Sequence, residues 1–269
     1  MQRTGLFSQD LHGATVSRAT SVEDLIAAYR LVHDVYVETG FMRPHRSGLR
    51  VRLFEAMPET ATFIARKDER VVGVLSMVPD SPAFGLPSDL AFKAELDGLR
   101  RTGAKLGEVT NQAVSVDHRQ SGIATELIRC AFAHRYLKGW DESVTTISPQ
   151  HAPFYEVLGA REIGGRRSYS PLIYDQVVAM SNNSCDRWDP RHEPEPGDRF
   201  IHRYMITTNP YWSQMAQWDA DAKRAFLEPG LLRRLFVEER GLLAQCSQAE
   251  LEALRNTWGD ARFASVWRP

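Results

Sequence analysis

The chain has 269 residues, 43% of them apolar and 25% charged, and 33 Lys and Arg against 34 Asp and Glu give a formal net charge of −1. That composition excludes a disordered or membrane-embedded chain, and the balanced charge excludes the global basic field of a nucleic-acid binder. The length suits one sizeable core plus an appendage.

Ser21-Val22-Glu23-Asp24 reads as a helix start, after which Leu25, Ile26, Tyr29, Val32 and Tyr36 recur at helical spacing. This helix carries Arg30, His33 and Asp34. In the loop that follows, Arg43, His45, Arg46, Arg50 and Arg52 form a basic cluster, and Arg100, Arg101 and Lys105 form another. Each is either a solvated face or a dock for an acidic partner. Thr62 to Arg66 and Val71 to Val78 read as a hairpin joined at Lys67 to Arg70. Three prolines in nine residues (Pro79, Pro82, Pro87) then force an extended loop before a short helix from Pro87 to Arg100. Glu108 to Val116 is a strand, Ile123 to Leu137 a helix, Val144 to Ser148 a strand, His151 to Leu158 a short helix and Ser168 to Met180 a last extended stretch.

From Ser181 the composition shifts to "SNNSCDRWDPRHEPEPGD", which reads as a linker. Residues 200 to 269 are helical in pattern, with a capping box from Ser247 to Glu250. The expected division is a domain over 1–180, a linker over 181–199 and a helical extension over 200–269. Trp212, Trp218, Trp258 and Trp267 lie in the extension and either dock it onto the main domain or cover an acyl chain. No run approaches the roughly 18 apolar residues of a membrane span, and "MQRTGLFSQDLHG" lacks the apolar centre of a signal peptide, so a cytoplasmic protein is expected. Cys130, Cys185 and Cys246 are odd in number and scattered, which argues against a disulfide framework or a zinc site, and no metal is expected.

Two stretches carry chemistry. In "EVTNQAVSVDHRQSGIATELI" a strand runs through a polar turn into a helix. The unpaired N–H groups and positive dipole end of such a helix start make a site for a phosphate or another anion, with Arg119 and Gln120 as polar contacts and Gly122 allowing close approach. "SPQHAPFYEVLGAREIG" places Tyr155 on a short helix four residues before Gly159. By itself Tyr155 is a core aromatic or a phenol facing the same cleft.

Together these stretches resemble the N-acetyltransferase superfamily. Arg119-Gln120-Ser121-Gly122-Ile123-Ala124 looks like its pyrophosphate loop, with Ala124 in the last glycine position, and Tyr155 and Gly159 match its tyrosine-x-x-x-glycine element. From Leu25 to Met180, the segments "LIAAYRLVHDVYVETGFM", "VVGVLSMVPDSPAFGLPSDLAFKAELDGLR", "LGEVTNQAVSVDHR" and "SPQHAPFYEVLGA" resemble the long-chain N-acyl amino acid synthases, relatives of the acyl-homoserine lactone autoinducer synthases. The lactone synthases carry Glu-x-Ser-Arg where this chain has Glu108-Val109-Thr110-Asn111.

The resemblance implies an α/β, GNAT-like acyl-CoA N-acyltransferase fold: a mixed, mostly antiparallel sheet flanked by helices, with the helical extension appended. It implies transfer of a long acyl chain from the phosphopantetheine thioester of acyl carrier protein, or of coenzyme A, to the α-amine of an amino acid. No permanently bound cofactor is implied, and the product would bring transient membrane association. The alternatives are a lactone-type signal synthase and a non-catalytic module that binds an acyl group or carrier protein. Attack by an amine protonated near neutrality needs a base, and Glu108 is the candidate. Tyr155 would protonate the departing thiolate. The backbone N–H of Val114, helped by Ala113 or Val116, would hold the oxyanion, while Arg119, Gln120, Ser121, Gly122, Ile123 and Ala124 would cradle the pantetheine or its phosphate. Arg30, Tyr36, Asp80 and Asn111 are the candidate acceptor-binding residues: Arg30 either grips the acceptor's carboxylate or pairs with the loop near Asp80. His33 and His151 read as packing or hydrogen-bonding residues.

Overall fold

The computed structural model describes residues 11, 13–169, 176–183, 189, 193–226 and 228–267. Seven strands, β1 (Thr15–Arg18), β2 (Ala61–Lys67), β3 (Arg70–Pro79), β4 (Leu106–Val114), β5 (Glu142–Ile147), β6 (Arg161–Ser168) and β7 (Gln176–Asn182), form one sheet in the order β1-β2-β3-β4-β5-β7-β6. All neighbours are antiparallel except β4 and β5.

The sequence pattern predicts five of these strands and misses two. β1 has four residues, too few for a period to show. β6, "REIGGRRS", sits at the sheet edge with two glycines, and its register with β7 breaks between Ile163 and Arg167, so it never alternates. The expected single stretch from Ser168 to Met180 is instead the end of one strand and most of another, with residues 170–175 outside the described residues. Ser181 and Asn182 belong to β7 rather than to a linker; Ser181 is fully buried and its hydroxyl donates to Glu142. Most of the remaining expected linker, with Cys185, also lies outside the described residues.

The first helix, α1 (Val22–Glu38), starts where Ser21 Oγ accepts the Asp24 N–H (3.0 Å). The β2–β3 hairpin turns on Asp68 and Glu69, both left-handed (φ 45° and 63°), as a two-residue primed turn requires. Alternation along the central strands then divides the core. Ile64 and Val74 face α1, with its Leu25, Ile26, Tyr29 and Val32, whereas Phe63, Ala65, Leu75 and Met77 face α3 (Ile123–Lys138). α2 (Asp89–Arg101) caps the end of the sheet through Leu96 and Phe92, and α4 (Ala152–Val157) follows β5.

Two glycines set the approach of elements around β4. A Cβ on Gly73 would lie 2.5 Å from Ile123 Cγ2, so the start of α3 seats directly on β3. A Cβ on Gly107 would lie 2.1 Å from the Trp140 ring, so the indole presses on the start of β4. β4 pairs with β5 only from Leu106 to Glu108, and beyond that point the strands diverge. On its other side β4 carries a bulge, where four residues from Thr110 to Ala113 oppose three from Ser76 to Val74, with Asn111 left-handed at φ 52°.

The last third folds as α5 (Arg199–His202), α6 (Trp212–Phe226), α7 (Pro229–Arg233), α8 (Gln248–Trp258) and α9 (Asp260–Val266), with wide π-type turns over Arg203–Thr207 and Arg234–Glu239. It covers both faces of the sheet. Leu231, Leu232, Leu235, Phe236 and Trp258 join the α1 side, and Tyr204, Met205, Tyr211 and Met215 join the α3 side. Polar ties pin it: Tyr204 and Tyr211 donate to the two oxygens of buried Glu126 (2.7 and 2.9 Å), and Asp219 accepts from Arg18 (2.5 Å) and Lys138 (2.6 Å). These partners hold the Asp219 carboxyl well below the usual range despite its desolvation by burial.

Candidate active site

The divergence of β4 from β5 opens a cleft of about 1250 Å³. Glu108, the last β4 residue paired to β5, lies at its closed end, 2% exposed. Ser88, at the start of α2, donates its N–H to Glu108 Oε2 (2.7 Å), and Ser88 Oγ is bonded to Thr146 Oγ1 (2.6 Å) on β5. Burial pushes the Glu108 carboxyl up to about 7, against the opposing pull of the Ser88 N–H and Arg52. A carboxyl raised to that range is poised to take up and return a proton near neutral pH, where a solvated glutamate is ionised and a weaker base.

Beside it stands a charged cluster drawn from the loop between α1 and β2. Arg52 forks onto Glu55, Nη2 to Oε1 at 2.5 Å and Nε to both oxygens at 3.2 and 3.3 Å, while its own N–H caps Glu55 Oε2 at 2.7 Å. These bonds and Arg50 keep the fully buried Glu55 carboxyl below its ordinary range although burial opposes them. The bulge residue Asn111 reaches the same carboxylate, donating from Nδ2 to Glu55 Oε1 (3.0 Å) and Ser76 Oγ (3.3 Å). Because a carboxylate only accepts, Nδ2 must face Glu55, which leaves Asn111 Oδ1 as a buried acceptor with no partner. Arg50 lies over the Tyr36 ring, 5.0 Å from its centroid.

Across the gap, Tyr155 on α4 donates its phenol to Gln112 Oε1 on β4 (2.7 Å). Burial raises its pKa above the ordinary value, so the phenol keeps its proton throughout the neutral range. The turn before α3 supplies Gln120, Ser121 and Ala124 to the cleft wall; Gln120 is left-handed at φ 69°, and Ser121 Oγ donates to the His118 carbonyl (2.7 Å). Gly122 caps α3, whose first-turn N–H groups have no partner within the helix.

Of the residues singled out in sequence, Glu108, Tyr155, Asn111, Tyr36, Gln120, Ser121 and Ala124 come together in the cleft. Others do not. Arg30 is on the exposed face of α1 and does not line the cleft, and Asp80 is held by Arg100 (2.7 and 2.9 Å), which also grips Asp89 and Asp97. That grip on three carboxylates fixes the Pro-rich loop to α2, so Asp80 pairs with Arg100 and not with Arg30. Val114 is paired with Gly73 and Val116 is 57% exposed on the next turn, so neither borders the cleft; the bordering β4 residues are Glu108 to Gln112. Arg119 is turned to Glu38 of α1 (2.9 Å), and Gly122 and Ile123 sit behind the wall. None of the four C-terminal tryptophans lines the cleft: Trp258 donates to the Ala56 carbonyl (2.9 Å), Trp212 to the Ile206 carbonyl (2.8 Å), and Trp218 stacks on Tyr211, which supports docking over acyl cover. His33 accepts the His45 N–H (3.1 Å), a structural bond, while His151 lines the cleft.

Sequence reasoning missed Arg50 and Arg52 as individuals within a cluster, and missed Glu55, Gln112 and Arg240 altogether. Only the density of arginines in the loop marked the region. No group of His, Cys, Asp or Glu suited to a metal occurs among the described residues, and no described helix is long and apolar enough to cross a membrane.

A buried carboxyl that titrates near 7, a protonated phenol opposite and strand backbone released from pairing between them can together move a proton onto and off reactants held in the gap. Comparison places this arrangement among known proteins. No curated protein matches the chain in sequence. The structure of FeeM, an N-acyl amino acid synthase from uncultured soil microbes, superposes with a TM-score of 0.57 at 25% identity, over 64% of this chain and 92% of that one. The CoA-dependent acyl-homoserine lactone synthase BjaI, solved with SAM and isopentyl-CoA, shares the fold at 15% identity and a TM-score of 0.50, over 77% of this chain and all of that one. The family description "N-acyl amino acid synthase FeeM" matches residues 27–183, which hold β2 to β7 and all but one of the cleft residues. With that match spanning more than half of its length, and with the sheet, splay and cleft in place, the chain belongs to the FeeM N-acyl amino acid synthase family, an acyltransferase enzyme of GNAT-like fold.

Proposed function

We propose that this enzyme transfers a long acyl chain from the phosphopantetheine thioester of acyl carrier protein to the α-amine of an amino acid. The observation that carries the reading is one cleft, formed by the β4–β5 divergence, that holds both Glu108 and Tyr155. The amine attacks in its uncharged form, Glu108 takes one of its two hydrogens as a proton, and Asn111 Oδ1 accepts a hydrogen bond from the other. The nitrogen lone pair forms the C–N bond at the thioester carbonyl, whose oxygen takes the negative charge. Backbone N–H groups of the Val109 to Gln112 segment stabilise that oxyanion, since this part of β4 has no β5 partner. Collapse expels the pantetheine thiolate, which Tyr155 protonates, leaving amide and thiol, and the proton held by Glu108 passes through solvent to restore the phenol. Holding amine and thioester in register supplies much of the rate.

The cleft supports a large donor: 1250 Å³ exceeds the roughly 300–1,000 Å³ of an ordinary small-molecule pocket, and Phe41, Met42, Phe54, Phe84, Leu86 and Phe154 give it apolar walls. A carrier-protein donor is supported by the α3 turn, where Ala124 replaces a glycine and Arg119 is engaged with Glu38. A carrier protein presents one phosphodiester and no adenosine diphosphate, so the turn has less to cradle.

Purified protein given a long-chain acyl carrier protein and a mixture of amino acids should yield N-acyl amino acids, identified by mass spectrometry. Turnover with acetyl-coenzyme A and none with any long-chain donor would replace this reading with an ordinary acetyltransferase. Consumption of S-adenosylmethionine would replace it with a lactone synthase.

A further inference from the structure

We infer that Arg240, supplied by the C-terminal helices, and Arg50 form the subsite that binds the carboxylate of the acceptor, which makes the extension part of the active site. The inference rests on the acyl-transfer reading above and assigns the part of the cleft that reading leaves without a role.

Both residues line the cleft. Both bury guanidinium nitrogens that have no hydrogen-bond partner: Nε of Arg50, and Nε and Nη1 of Arg240. Buried donors on a cation are costly to leave unmade, so two guanidinium groups with unpartnered nitrogens in the wall of one cleft suit an acceptor-rich anion. No neighbouring carboxylate fills the place. Glu55 is taken up by Arg52 and Asn111, and the Glu108 oxygen that is bonded accepts from the Ser88 N–H. Arg43, Arg50, Arg52 and Arg240 therefore line the cleft against two carboxyls, Asp89, which Arg100 holds, and Glu108, which burial raises to about 7. A carboxylate offers two oxygens in the planar geometry that guanidinium forks match, and an amino acid held by it would present its amine toward Asn111 Oδ1 and Glu108.

Arg240 is held in place. It follows the wide turn Arg234–Glu239, and the chain reverses at once on left-handed Gly241 (φ 59°), where Leu242 donates its N–H to the Phe236 carbonyl (2.8 Å). Phe236 is fully buried against Trp258, whose indole is bonded to the carbonyl of Ala56, the neighbour of Glu55. The extension is thereby tied to the segment that carries the other charged residues. A smaller hollow of about 390 Å³ shares Arg52, Phe54, Phe84 and Arg240 with the cleft, which leaves room beside the arginines.

The test compares parent protein, Arg240→Lys, Arg240→Gln and Arg50→Gln with amino acids and with the corresponding amino-acid amides, which lack the carboxylate. For the amino acid, Arg240→Gln and Arg50→Gln should raise KM at least tenfold with the donor's KM unchanged, and Arg240→Lys should recover part of it. For the amide, parent and variants should be alike. An equal effect on acid and amide, or an effect on the donor's KM, overturns the inference and leaves the acyltransferase reading intact. Thermal shift gives a readout independent of turnover: accepted amino acids should raise the Tm of the parent and not that of Arg240→Gln, with near-identical unliganded Tm values showing that the variant folds. Binding through Arg240 without acyl transfer would keep the subsite and remove the synthase reading, whereas no shift in the parent at tens of millimolar of any amino acid overturns the subsite.

Discussion

Tyr155 and Gln112 are joined across the open end of the β4–β5 gap by a 2.7 Å hydrogen bond, phenol to side-chain carbonyl. The bond holds a protonated phenol at the cleft wall, and its tether is a β4 residue next to left-handed Asn111. Because a thiolate leaves readily, Tyr155→Phe should lower kcat by less than the roughly 10²-fold floor of typical general acid–base effects, with acceptor KM unchanged. Gln112→Leu should have a similar or smaller effect. Steady-state kinetics of both variants check this, and a drop of four orders of magnitude in Tyr155→Phe would show the phenol to be indispensable.

On the proposed mechanism Glu108 sets the pH dependence. Its carboxyl is raised to about 7 by burial, and only the ionised form accepts a proton, so kcat/KM should rise with pH through about 7 and then level. Glu108→Gln should reduce kcat by about 10²–10⁴-fold and abolish that inflection. A variant retaining parental turnover, or the same inflection in its residual activity, would remove Glu108 as the base.

Stability depends on the extension. Trp258 is 1% exposed between Phe236 and Phe263, and its indole satisfies the Ala56 carbonyl. Trp258→Ala should cost about 3–5 kcal/mol from the lost packing. Trp258→Phe should cost about 1–3 kcal/mol, mainly from the orphaned carbonyl. Urea unfolding measures both. Deleting residues 199–269 uncovers apolar surface on both faces of the sheet and should give a dye-binding, non-cooperative chain; a truncated protein with a sharp transition would show that residues 1–198 fold independently.

Acid sensitivity should come in part from His134. It is fully buried between the Phe63 and Trp140 rings (5.7 Å each), and neither ring nitrogen has a partner. Burial, with Arg18, Lys138 and Lys223 facing it and Asp219 opposing them, holds its pKa well below the ordinary 6.5. The unfolded chain binds a proton that the folded one refuses, so this contribution is complete above 6.5 and is lost as pH falls below it. The urea midpoint of the parent should therefore drop between pH 6.5 and 5, and His134→Leu should flatten that slope. An unchanged slope in the variant would assign the acid sensitivity to other groups.

Local pattern was enough for α1, the hairpin, α2, β4, α3 and β5, because each has either helical or alternating apolar spacing and a turn or cap at its ends. The same locality explains what was read wrongly. Arg30 has the planar fork that suits a carboxylate, yet six residues on a 3.6-residue period set it about 120° round α1 from Tyr36, facing solvent. Val114 is the expected oxyanion donor where β4 diverges from its neighbour, but it pairs with Gly73, and the stretch of β4 that borders the cleft runs from Glu108 to Gln112. α3 carries Glu126, Arg129 and Arg135, charges that suit a solvated face, and all are buried: the extension supplies Tyr204 and Tyr211 to Glu126 and the Thr208 carbonyl to Arg129, while Arg135 is held by the Trp140 and Asp141 carbonyls and Asn182.

By itself, then, the sequence determined the elements, the Glu108 strand, the turn before α3 and the Tyr155 helix, since capping, periodicity and motif spacing act over a few residues. Tertiary structure alone decided which arginines face the reaction. Arg50, Arg52 and Arg240 come from segments about 190 residues apart, and what makes them a site is the loss of water and of alternative partners on folding, a property of the assembled cleft that no local spacing encodes.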